Sequence, residues 1–142
     1  MYPVAEEWYN ILYKKIRAFM EEDIVTMTLI GYSDGSSCDK AKAWLNAHGT
    51  PFVSRDIQTQ NPTYNELKEW QAKSGLPLKK FFNTASVLYR TMSLGDRMGM
   101  LSEEAQFNLL ATDGTLVKMP ILVGDDFVLV GFKQEAWEET LQ

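Results

Sequence analysis

Two apolar runs flank a tight polar loop and a helix within residues 24–57, and this pattern constrains the fold more than any other part of the chain. Residues 24–32 include Val25, Met27, Leu29 and Ile30 and reach Gly31 just before the loop, as a strand does. Ser36 or Ser37 is a natural N-cap for a helix that continues through Ala41, Trp44 and Leu45. His48 and Gly49 supply its C-terminal stop, His48 in a capping role. Residues 52–57 then alternate as a second strand. A strand, a helix and a strand at this spacing need a crossover, so the two strands are expected to pair in parallel.

The loop inside this unit holds the only cysteine of the chain, Cys38. A thiol at a helix N-terminus meets free backbone N–H groups and the positive end of the helix dipole, which favour the thiolate. Redox proteins place reactive sulfurs in this way. A second cysteine is missing, however, and the position three before Cys38 is Gly35. A lone cysteine cannot form an internal disulfide and fits a reducing compartment. Cys38 with His48 and no further ligands does not make a metal site.

Composition narrows the function classes. The chain has 142 residues, enough for one domain with a core, and a net charge of −5. Nucleic acid is an unsuitable direct partner for so acidic a protein, because phosphate binding needs concentrated positive surface. The pairs and triplets of cations at Lys79-Lys80 and Lys14-Lys15-Arg17 are short and read as solvated faces. No apolar run approaches the ~20 residues of a membrane helix. The acidic N-terminal region, with Glu6, Glu7, Glu21 and Glu22, does not read as a signal peptide, so a cytoplasmic protein is expected.

Residues 3–20 form an amphipathic helical pattern with Val4, Trp8, Leu12, Ile16 and Phe19 along one stripe, widened by Tyr2, Tyr9 and Tyr13. Such a helix must cover its own domain, a second copy or a partner. Beyond the first unit, Asn61-Pro62-Thr63 opens a helix that runs to Lys73, and residues 74–77 break it. A short helix at 77–82, a segment around Tyr89 and a helix from Ser102 to Leu110 follow. Residues 120–123 and 127–130, joined by Gly124-Asp125-Asp126, spell a β-hairpin, and residues 134–141 close with a helix. Trp8, Trp44, Trp70 and Trp137 all fall on helical stripes and are expected in packing. The order is βαβ, a helical insertion, ββ, then α.

From Met27 onward the chain resembles the arsenate reductase (ArsC)/Spx family. The matching motifs are Gly31-Tyr32 through Cys38, Lys40 to Leu45, the stretch Ser74-Gly-Leu-Pro-Leu-Lys-Lys-Phe-Phe-Asn-Thr84, the stretch Leu109 to Val123, and Val130-Gly-Phe-Lys133. The stretch 74–84 is the most specific, and it resembles a little-characterised ArsC/Spx-like bacterial branch. The resemblance implies an α/β, thioredoxin-like fold with a helical insertion at 27–142, preceded by a helical extension at 1–26. It also implies that Pro120 is a cis-proline facing the cysteine loop. Gly35, Ser36, Ser37, Met119 and Pro120 would then line a groove for an extended peptide or a thiol ligand.

The family's chemistry carries over poorly. The reductases attack arsenate with the cysteine that opens the loop, and that position is Gly35 here. Asp39 follows Cys38 where an arginine is common, Met119 precedes Pro120 where another helps hold the oxyanion, and Asn83 aligns near a third. Each missing cation would cost about 2–4 kcal/mol of transition-state stabilisation, by analogy with loss of one oxyanion donor. Ordinary arsenate reduction is therefore not expected. Two readings of Cys38 stand. In one it is a packing residue of a non-catalytic protein that binds a protein partner, as Spx does with RNA polymerase, and needs no cofactor. In the other it is the catalytic thiol of an arsenate-reductase-like or glutaredoxin-like oxidoreductase that works with glutathione, a thioredoxin or another external thiol.

Overall fold

A computed structural model describes residues 9–14, 16, 27–32 and 35–141. Residues 9–14 and 16 are helical, with Tyr9, Ile11, Leu12, Tyr13 and Ile16 exposed. The remainder of the helix expected at 3–20, including Val4, Trp8 and Phe19, lies outside the described residues. So do residues 24–26 of the first expected strand.

The described chain runs β1 (Thr28–Gly31), α1 (Ser36–Ala47), β2 (Val53–Asp56), α2 (Tyr64–Ser74), α3 (Val87–Thr91), α4 (Leu94–Arg97), α5 (Glu103–Thr112), β3 (Ile121–Val123), β4 (Val128–Val130) and α6 (Gln134–Leu141). Among the described residues the sheet has four strands in the order β2-β1-β3-β4. The β1–β2 pair is parallel, with Thr28 opposite Val53 and Gly31 opposite Asp56. β3 lies antiparallel to β1 and to β4, with Leu29 opposite Leu122 and Leu122 opposite Leu129. This is the βαβ, helical insertion, ββα plan expected from the sequence.

Strand alternation divides the core between the two faces of the sheet. Leu29 and Leu122 point to one side, where Ala41, Trp44 and Leu45 of α1 and Trp137 of α6 cover them. Ile30 and Ile121 point to the other, where the insertion supplies Leu67, Trp70, Phe81, Phe82, Leu94, Phe107 and Leu110. Burying both faces suits a sheet whose central strands are almost wholly apolar. Trp44, Trp70 and Trp137 are buried, as their helical spacing predicts. Trp137 donates from its indole nitrogen to the Gly131 carbonyl at 3.1 Å.

One expected cap differs. The N-cap of α1 is Gly35 in extended conformation, with no side-chain cap bond, so Ser36 and Ser37 lie inside the first turn. At the other end His48 is the C-cap, its Nδ1 lies 2.8 Å from the Trp44 carbonyl, and Gly49 follows with φ of 65°. Its imidazole stacks on the Trp44 ring at 4.0 Å between centroids.

The edge strand β2 is tied to the insertion by a single arginine. Arg55 donates through Nη1 and Nη2 to both carboxylate oxygens of Glu66, at 2.6 and 2.9 Å, and through Nε to the Gln60 carbonyl at 3.0 Å. Its guanidinium also lies 5.7 Å from the centre of the Trp70 ring. Glu66 accepts from the Thr63 backbone while Thr63 caps the Glu66 amide, a reciprocal capping box that starts α2. The arginine and this cap hold the Glu66 carboxyl below the usual range, Arg55 contributing most. A depressed carboxyl contributes stability that is present above its unfolded value and is lost as pH falls through the folded one. Glu66→Gln is therefore expected to cost roughly 1–2 kcal/mol at neutral pH. The gap from the native chain should narrow below pH ~4 in urea unfolding measured across pH.

Candidate functional site

The loop between β1 and α1 places Cys38 in the first turn of α1, 3% exposed. Its sulfur sits on the face of Gly31, the last residue of β1. A Cβ built on Gly31 would overlap Cys38 Sγ and would stand 4.0 Å from the Pro120 Cβ. Gly31 is thus the point where the cysteine helix and the proline of the hairpin converge. Only a residue without a side chain lets both approach β1 this closely.

Several forces act on the thiol. Burial pushes its pKa up, and Asp39 adds to that push, while the Tyr32 backbone amide and the Lys42 ammonium oppose it. The net direction is upward, so the neutral thiol is favoured. Desolvation, the largest of these effects, opposes the thiolate that a helix N-terminus favours.

Gly35 lies half-buried at the mouth of the loop. A Cβ there would meet Tyr32 Cβ at 3.5 Å and Cys38 Sγ at 3.7 Å, both ordinary contacts. Its φ of −84° and ψ of 137° suit any residue. The position therefore has room for a side chain that the sequence does not supply. Ser37 is exposed, Met119 is half-buried against the insertion-side core, and Pro120 is buried behind a cis Met119–Pro120 bond. The Ser36 side chain and residues 33–34 lie outside the described residues. The structure brings Gly35, Cys38 and Pro120 together around β1, while the other expected groove residues flank them.

Two recesses adjoin this junction. The smaller, of about 120 Å³, is lined by Gly31, Tyr32, Cys38, Lys42, Ser54, Arg55 and Asp56. The larger, of about 390 Å³, is lined by Tyr32, Asn83, Ser86, Val87, Leu88, Thr91, Asp113 and Thr115. Tyr32 belongs to both. Its phenol is pushed up in pKa by burial and then by the negative charge of Asp113, so it stays protonated. These residues come from five separate segments. Cys38, Lys42, Asn83, Asp113 and Thr115 fall within stretches that carry the family resemblance, but nothing in those stretches shows that they meet around Tyr32. Among the described residues, no group of three or more His, Cys, Asp or Glu is arranged to hold a metal ion.

A mixed sheet with a strand–loop–helix cysteine facing a cis-proline, and helices on both faces, defines the thioredoxin-like class. Within that class the ArsC family model matches residues 30–140, and the chain belongs to the ArsC family. It is 42% identical over 115 residues to YusI of Bacillus subtilis strain 168, covering 81% of this chain and 98% of that protein. Spx 1 of Lactococcus lactis strain IL1403, named as a global transcriptional regulator, is 27% identical over 100 residues, covering 70% of this chain and 77% of that one. A crystal structure of an ArsC family related protein from Bacteroides fragilis is 47% identical with a TM-score of 0.77, covering 80% of this chain and 95% of the other. The sequence resemblance and the fold agree. Among the described residues, no helix is long and apolar enough to cross a membrane.

The seat of Cys38 on Gly31 yields a stability test. Gly31→Ala is expected to cost about 1–3 kcal/mol by overpacking in urea unfolding. Adding Cys38→Ala should recover much of that loss, because the clash is with the sulfur. Additive costs in the double variant would show that the two residues do not touch.

Proposed function

We propose that this ArsC-family chain is a polypeptide-binding module without arsenate reductase activity. The edge formed by Gly35, Ser36, Ser37, Met119 and Pro120 is where a partner segment lies. The observation that carries the reading is the seat of Cys38. A sulfur buried against Gly31, with its thiol pushed up in pKa, is a packing group, and the outer loop position has no thiol to attack an oxyanion. Arsenate is anionic, yet Asp39, Asn83 and Met119 stand where the family resemblance expects cations. Relatives named as global transcriptional regulators make a regulatory protein partner, in the cytoplasm, the natural class. Residues 1–26 are an appendage to the domain at 27–142. The exposed Tyr9, Leu12 and Tyr13 offer apolar surface to a partner or a second copy.

One set of contacts favours a second reading, a thiol oxidoreductase that uses Cys38. The Tyr32 amide and Lys42 both favour a thiolate. The room beside Gly35, 3.7 Å from Cys38 Sγ, is where the sulfur of glutathione or another external thiol would stand.

Iodoacetamide labelling against pH separates the two. The binding-module reading expects slow alkylation with a midpoint above the usual ~8.5 for a free cysteine. Rapid labelling with a midpoint well below that value would favour the enzyme. A second test fills the vacant position. Gly35→Cys is expected to fold normally and to form an internal disulfide with Cys38 on oxidation, read as a mass loss of two hydrogens. It should still fail to reduce arsenate, because the cations are absent. Robust arsenate reduction by this variant would contradict the charge argument.

A further inference from the structure

We draw no further inference here: the strongest candidate, the exposed apolar face that Tyr9, Ile11, Leu12, Tyr13 and Ile16 form on the N-terminal helix, carries nothing because nothing among the described residues shows what covers it.

Discussion

The contact between the Cys38 sulfur and the bare face of Gly31 is the constraint around which the site is arranged. It sets how closely α1 approaches β1, and through Gly31 it sets how closely Pro120 approaches the same point. A sulfur there fills the space that a side chain on the strand would otherwise take. The same closeness that makes a good packing contact removes water from the thiol and raises its pKa. Packing and nucleophilicity pull in opposite directions, and here packing prevails.

The charges around the loop follow from that outcome. A reductase site needs cations converging on an oxyanion beside an exposed thiolate. This chain has Gly35 where the family resemblance expects the attacking cysteine, and Asn83 and Met119 near the places where it expects arginine. Asp113 brings a carboxylate within reach of Tyr32 instead. The scaffold keeps a loop, a cis-proline edge and two recesses. Arg55, which lines the smaller recess, is committed to Glu66 and to the Gln60 and Asn61 carbonyls.

Much of the fold was legible in the sequence because it is written in local signals. Strand alternation, the Asn61-Pro62-Thr63 helix start and the Gly124–Asp126 turn each occupy a few consecutive residues. The family resemblance added the cis-proline, which the Met119–Pro120 dipeptide alone does not imply. Serine is a strong N-cap by type, so the sequence points to Ser36 or Ser37, whereas the helix begins one residue earlier with Gly35 as its cap. The recesses were not legible. Tyr32, Ser86 and Asp113 meet only through the tertiary fold, and their spacing carries no period that a helix or strand would produce.

Whether Cys38 is a structural sulfur is decided by intact-mass spectrometry after incubation with oxidised glutathione. The protein is expected to keep its mass at neutral pH, because a buried neutral thiol does not attack a disulfide. A glutathione adduct on Cys38 of the folded protein, formed promptly and removed by thioredoxin or excess thiol, would contradict it.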